Sequence, residues 1–303
     1  MTVISTDNLT VRYRHRLALN NCTLKVPSNR ITALVGENGA GKTTFLNCAV
    51  GLQRPTSGTI EIFEGLPAGS AEARERVAYV GQESPLYRNL SVANMLIVAR
   101  ELNREFDLAL ATTRITELDI PLSSKVGNLS GGQQAQVGLT LALARHPDVL
   151  ILDEPLAGLD PRARRALMRE ILAAAADDQV TVLYSSHVVS ELERAADYLI
   201  ILERGKVRVA TGIEEFLADH RVVVGPTDLL DNLPKSCEVL DFQRAGRQVQ
   251  ALICDTERVL TSSAAWELHA PQLEDLVLAY LTPESDRGFG ASDDRALRLE
   301  WTR

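Results

Sequence analysis

The chain has 303 residues, 45% apolar and 24% charged, with a formal net charge of −8. That is ordinary globular usage, with material for one large or two modest domains. The acidic balance, with a pI near 5.3, speaks against a general nucleic-acid binder, which carries a basic footprint. No segment reaches the ~18 uninterrupted apolar residues a spanning helix needs, and Met1 to Thr10 lacks the apolar stretch of a secretory signal. A chain soluble by itself is expected, with any membrane role exercised through a partner. Cys22, Cys48, Cys237 and Cys254 lie far apart, with neither metal-ligand nor redox-motif spacing, and are read as reduced thiols.

In chain order, Val3 to Tyr13, Leu17 to Val26 and Arg30 to Val35 read as strands, rich in β-branched and apolar residues and separated by turn-prone Asn20-Asn21 and Pro27-Ser28-Asn29. Gly36 to Gly41 is a loop and Lys42 to Val50 a helix. From Ser91 to Leu118 the spacing turns helical, with Leu96, Ala99, Leu102 and Phe106, then Leu108, Ala111 and Ile115, near i, i+3, i+4. Gly131 to Arg145 is a further helix. Val149 to Leu152 and Val180 to Ser185 are short apolar runs, as expected of buried parallel strands. Between them Pro161 to Ala175 reads as a helix with Asp160 as N-cap. Alternating strand and helix predicts a parallel sheet with covering helices. Near His220 the character changes. Arg221 to Gly225, Cys237 to Gln243 and Val249 to Cys254 read as strands of a small unit, and Pro271 to Leu281 as an amphipathic helix. The expected division is 1–219, 220–282 and a loose polar tail, 283–303.

Three segments carry chemistry. Gly36-Glu37-Asn38-Gly39-Ala40-Gly41-Lys42-Thr43 fits the phosphate-loop pattern and stands between a predicted strand and a predicted helix. Its glycines let the backbone curl so that N–H groups point at phosphate oxygens, and the helix N-terminus adds positive potential. Lys42 is placed to reach the outer phosphates and Thr43 to ligate Mg²⁺, with Thr44 following in the same first turn. Leu150-Ile151-Leu152-Asp153-Glu154 is an apolar strand ending in two acids, which are costly there unless used. Asp153 suits Mg²⁺, and Glu154 suits polarising an attacking water. By itself such an end could equally be a solvated exit from a strand. Leu129-Ser130-Gly131-Gly132-Gln133 places a serine and two glycines at a helix start, again an anion site, although Ser-Gly-Gly alone also reads as a plain cap.

With this pentapeptide shortly before the acidic strand end, the sequence resembles the ATP-binding cassette ATPase family over roughly Thr2 to Leu217. The resemblance implies a phosphate-loop cassette of α/β class, with a parallel core sheet, an antiparallel β subdomain and a helical subdomain carrying the pentapeptide. A small α+β extension would follow. It implies that Ser130 to Gln133 bind the γ-phosphate of ATP held by a second copy, so that two chains sandwich two nucleotides head to tail. Gln82, after Val77-Ala78-Tyr79-Val80, resembles the glutamine that senses Mg²⁺ and couples to a membrane subunit. Gly158-Leu159-Asp160 resembles the loop that crosses the dimer interface. His187, after Tyr184-Ser185-Ser186, resembles the switch histidine at the γ-phosphate. Tyr13 resembles the aromatic that stacks on adenine, where plain strand packing is the competing reading. ATP and Mg²⁺ are the implied cofactors, with Thr43, Gln82 and Asp153 as metal ligands and Lys42, Glu154 and His187 as catalytic groups. Every motif is intact, so both sites of a homodimer are expected to be competent.

Translation-associated cassette proteins carry two cassettes, whereas this chain has one set of motifs. Chromosome and repair ATPases split the cassette with a coiled coil, and no extended heptads separate Lys42 from Ser130. A small-molecule kinase would not need Leu129-Ser130-Gly131-Gly132-Gln133. The expected setting is the inner face of a cell membrane, bound to a separate integral permease. Ser84 to Val92 and Leu273 to Leu281 resemble segments of exporters with separately encoded membrane subunits. Drug, antibiotic or lipid-like export is therefore the leading expectation, with import under a regulatory C-terminal unit as the alternative.

Overall fold

The computed structural model describes residues 1–63, 65–82, 86–177, 179–187, 195–256, 259–260 and 266–282. The chain divides into two compact units, Met1–Ala210 and Thr211–Arg303.

In the first unit, β1 (Thr2–Tyr13) and β2 (Arg16–Pro27) form a long antiparallel hairpin. With β4 (Ser57–Ile62) and β5 (Leu66–Pro67) they make a sheet of order β2-β1-β4-β5. Alternating burial along β2 sends Cys22, Leu24 and Val26 into the core, as period-two patterning requires. The second sheet runs β10-β9-β3-β8-β7-β6. Its strands are β3 (Ile31–Val35), β6 (Val77–Val80), β7 (Val149–Leu152), β8 (Thr181–Ser186), β9 (Tyr198–Glu203) and β10 (Lys206–Gly212). The β3–β8, β3–β9, β7–β8 and β6–β7 pairs are all parallel. Every residue of β3, β7 and β8 is buried, which is why these runs are mostly apolar rather than alternating, with Thr32, Thr181, Ser185 and Ser186 as their buried polar members. Phe45 and Leu46 of α1 (Lys42–Ala49) are likewise fully buried, in one cluster with strands of both sheets.

The helical stretch expected between Ser91 and Leu118 is two helices. These are α3 (Val92–Leu102) and α4 (Leu108–Glu117), after α2 (Ala71–Arg76). Asn103 ends α3, its side chain donating to the Ala99 carbonyl at 2.7 Å. Asp107 then caps α4 by accepting from the Leu110 N–H at 2.8 Å. An asparagine and an aspartate that compete locally for backbone groups are enough to divide a continuous apolar periodicity. The helices α5 (Gly131–Leu143) and α6 (Pro161–Asp177) complete the unit.

In the second unit, α7 (Ile213–Ala218) precedes an antiparallel sheet of order β12-β13-β11-β14, followed by α8 (Leu273–Leu281). The strands are β11 (His220–Pro226), β12 (Glu238–Ala245), β13 (Gln248–Cys254) and β14 (Glu267–His269). The compact units meet ahead of the His220 boundary read from the sequence, because α7 belongs with the sheet. Phe216 packs at 4.8 Å from the His220 ring and 5.3 Å from that of Tyr280. The tail expected at 283–303 lies outside the described residues.

Candidate functional site

In parallel strands the carboxyl ends share one edge, and there the loops of an open α/β sheet meet ligands. The order β3-β8-β7-β6 therefore sets four sequence features side by side: the phosphate loop after β3, His187 after β8, Asp153 and Glu154 after β7, and Gln82 after β6.

The phosphate loop curls as its glycines permit. Gly39 and Gly41 sit at φ of 85° and 111°, a region closed to most side chains. Gly36 is needed for closeness: a Cβ there would lie 2.5 Å from the Leu202 carbonyl oxygen of β9. Gly41 begins α1 with no side-chain cap, leaving its first turn open to an anion. Glu37, Asn38 and Gly39 are exposed, while Ala40 and Lys42 are buried. Thr43 is exposed and Thr44 half-buried.

Lys42 is 6% exposed. Its Nζ donates to the Gly36 carbonyl at 2.7 Å and pairs with Glu154 Oε1 at 3.3 Å. Glu154 Oε2 lies 2.7 Å from His187 Nδ1. One carboxylate thus joins the loop lysine to the histidine of the neighbouring strand, and the ring N–H facing it donates. Glu154 itself has φ 50°, a strained backbone for a non-glycine residue at the start of a tight turn.

Asp153 is 1% exposed. Its Oδ1 accepts from the Ser185 hydroxyl at 2.6 Å, and the same oxygen of Ser185 accepts from the Glu154 N–H at 2.8 Å. Asp153 Oδ2 is buried with no hydrogen-bond partner among the described residues. An unpaired carboxylate oxygen in that position is costly, and a hard divalent cation would satisfy it. One carboxylate, a threonine hydroxyl, an amide and phosphate oxygens form the kind of set that suits Mg²⁺. Among the described residues no group of three or more His, Cys, Asp or Glu side chains gathers as a stand-alone metal cage, so a metal here would depend on the phosphates. Ser185 was absent from the sequence-derived set. Its signal was a hydroxyl at the end of an otherwise apolar buried run.

At the start of α5 the Ser130 hydroxyl accepts from the Gln133 N–H at 3.2 Å, and Gln133 Oε1 accepts from the Ser130 N–H at 3.0 Å. This is a reciprocal capping box. Gly132 is small for a reason on this chain: a Cβ there would stand 2.8 Å from that of Ala163 in α6. Ser130 is exposed and meets none of Lys42, Glu154 or His187 among the described contacts. Asp160 caps α6, accepting from the N–H groups of Arg162 at 2.9 Å and Ala163 at 3.0 Å. The Ala163 bond foremost lowers its carboxyl pKa. Tyr13 is 43% exposed, with its hydroxyl donating to Gln53 at 3.2 Å. Gln82 is exposed and lines a cleft of about 550 Å³ with Leu86, Arg88, Leu139, Leu167 and Ile171. Ser84 and Pro85, part of the exporter-like segment, lie outside the described residues.

A family model described as ABC transporter matches residues 19–157, and one described as an AAA domain matches 125–193. A Nod factor export ATP-binding protein I of Burkholderia lata is 32% identical over 293 residues, 89% of this chain and 94% of its own length. The bacitracin transport ATP-binding protein BcrA of Bacillus licheniformis is 34% identical over 222 residues, 72% and 71% of the two chains. A lantibiotic transport ATP-binding protein SrtF of Streptococcus pyogenes is 35% identical, covering 68% and 89%. Among solved structures, an ATP-binding subunit of an ABC transporter superposes with a TM-score of 0.64 at 28% identity, over 72% of this chain and 92% of that one. A dimeric cassette in a post-hydrolysis state with ADP and Pi gives 0.62 at 23%, over 69% and 98%, which shows the shared fold. The chain belongs to the ABC transporter family of ATP-binding subunits, and its chemistry is ATP hydrolysis.

Proposed function

We propose that this chain powers export through a separate membrane subunit, as an ATP-sandwiched homodimer on the inner face of a cell membrane. The observation that carries the chemical part is the half-buried Glu154 carboxylate, held between Lys42 and His187 at the carboxyl edge of the sheet. When bound, Mg²⁺ would lie with Thr43, Asp153 and Gln82 and supply charge neutralisation on the β- and γ-phosphates. Lys42 exchanges Glu154 for phosphate oxygen as the triphosphate enters, and the loop amides line the phosphates. Glu154, released from the lysine, takes up the attacking water and aligns it with the γ-phosphorus. His187 keeps its ring N–H toward that carboxylate and holds the geometry. Ser130, Gly131 and Gly132 of the second copy close over the γ-phosphate. Catalysis is then mostly positioning and electrostatics.

ATP bridging two chains favours the closed dimer, and loss of the γ-phosphate lets it open, a population shift by a ligand of unequal affinity for two states. The cleft beside Gln82 has an apolar floor and an exposed polar rim, the chemistry that suits a short helix of the membrane subunit. Tyr13 stacks on the adenine, and Asp160 carries the interface loop. The exported class we propose, a drug, antibiotic or lipid-like molecule, is supported by the relatives named for Nod factor export and for bacitracin and lantibiotic transport. Nucleic acid has no part in it. Vesicles carrying the chain with its co-purifying membrane subunit test the reading. ATP-dependent transport away from the cassette side, abolished by Glu154→Gln, is expected. Purification with ribosomes or DNA and no integral membrane protein would overturn it.

A further inference from the structure

The phosphate loop is held from outside by β2. Arg16 at the start of that strand donates from Nη2 to the Gly39 carbonyl at 2.9 Å. Two residues on, the Ala18 carbonyl lies 2.6 Å from where a Gly41 Cβ would stand. Residues 16 and 18 of the strand thus run along residues 39 and 41 of the loop. Glycine at 39 is bound up with this contact, since a Cβ there would stand 2.5 Å from Arg16 Nη2. Arg16 is also the direct cross-strand partner of Tyr13, beside the Arg14-His15 turn of the hairpin. The loop aims its N–H groups inward at phosphate, so a carbonyl such as that of Gly39 is turned out and needs a donor; a guanidinium supplies one in a fixed fork.

We propose that Arg16 is a positioning residue that ties the Tyr13 hairpin to the phosphate loop, and so fixes the span between base and phosphates over which the nucleotide is recognised. This rests on Tyr13 stacking the base. With the tether in place, the adenosine and triphosphate halves of ATP are bound as one rigid ligand. Without it each half binds its own element, and the loop and hairpin must be ordered at the expense of affinity.

The test compares MgATP with magnesium tripolyphosphate on the full chain, by calorimetry, for wild type, Arg16→Ala, Arg16→Lys and Lys42→Ala. Arg16→Ala is expected to raise the Kd for ATP about tenfold, the weight of one charge-assisted hydrogen bond. Tripolyphosphate should lose about twofold, from the weakened long-range attraction alone. The advantage that adenosine adds therefore shrinks, and Arg16→Lys restores much of it. Equal losses for both ligands would make Arg16 a simple attractor of charge and overturn the proposal, as would an unchanged ATP affinity. A fall in thermal stability with the ratio of the two constants unmoved would reduce it to a packing role and overturn it equally. Unchanged binding of both ligands by Lys42→Ala is a separate failure, that of the nucleotide site itself.

Discussion

Two helix N-termini on this chain, those of α1 and α5, are the ones the proposed function sets against phosphate, and they are built differently. The α1 terminus starts at Gly41 with no side-chain cap, behind a buried lysine. Its first turn is left unsatisfied until an anion arrives, and meanwhile Lys42 is occupied by the Gly36 carbonyl and Glu154. The α5 terminus closes on itself through the Ser130–Gln133 box and stands exposed. A cradle that holds its ligand through every state can be deep and incomplete when empty. A surface that must meet and leave a second molecule's nucleotide has to be finished beforehand, because each closure would otherwise include the cost of ordering it. The difference teaches how one chain would divide the work in the function proposed above: α1 to retain the nucleotide, and α5 to report whether its γ-phosphate is present.

The comparison breaks most sharply at Glu154. Glu154→Gln should lower ATP turnover by about 10² to 10⁴-fold, the range for a lost positioned base, while nucleotide binding persists and a dimer accumulates by size-exclusion with ATP. Binding by the isolated chain should even tighten, because the amide no longer competes for Lys42. Wild-type turnover in this variant would remove Glu154 from its role. Next in size is Lys42→Ala, which strikes the retaining terminus: ATP affinity should fall about tenfold or more, the scale of a buried charged contact, as read by fluorescent-nucleotide titration. Ser130→Ala strikes the other terminus. It removes a cap worth about 1 kcal/mol, a modest thermal shift, and should leave ATP affinity of the monomer unchanged while ATP no longer drives dimer formation. If Ser130→Ala weakened monomer binding as Lys42→Ala does, the two termini would not divide the work at all.

Both termini were legible in the sequence because their chemistry is local. A glycine-rich run, a lysine and a serine before two glycines are contiguous, and the apolar runs ending at Val35, Leu152 and Ser185 locate their strands. What sequence spacing could not supply was adjacency across the sheet. That Glu154 would touch both Lys42 and His187 follows from the order β3-β8-β7, which no local pattern encodes. Ser185, holding Asp153 and the Glu154 N–H together, was hidden for the same reason. The strands β4, β9 and β10 and the short helices α2 and α7 were also missed. Ser57–Ile62 alternates weakly, and helices of six residues carry too little periodicity to register.

The second unit has no such motif, and its distinguishing polar feature is buried. His220, 3% exposed, donates from Nδ1 to the Phe216 carbonyl at 2.6 Å, and its Nε2 shares a hydrogen bond with the Tyr280 hydroxyl at 2.9 Å. The ring joins α7, β11 and α8. Burial foremost pushes its pKa below the ordinary histidine value, against the opposing pull of the Phe216 carbonyl, Asp219 and Glu238 and with the help of Arg221. A depressed histidine favours the folded state when neutral, so its contribution is complete above the unfolded-chain pKa of about 6.5. It declines as pH falls below that toward the folded-state value. The effect is small, a fraction of the roughly 1 kcal/mol that one hydrogen bond contributes. Thermal unfolding at pH 7.5 and 5.5 should show wild type losing more stability on acidification than His220→Gln, which keeps a donor and an acceptor but cannot titrate. Equal losses would mean that acid acts on this chain elsewhere, and that the Phe216–His220–Tyr280 cluster is packing and nothing more.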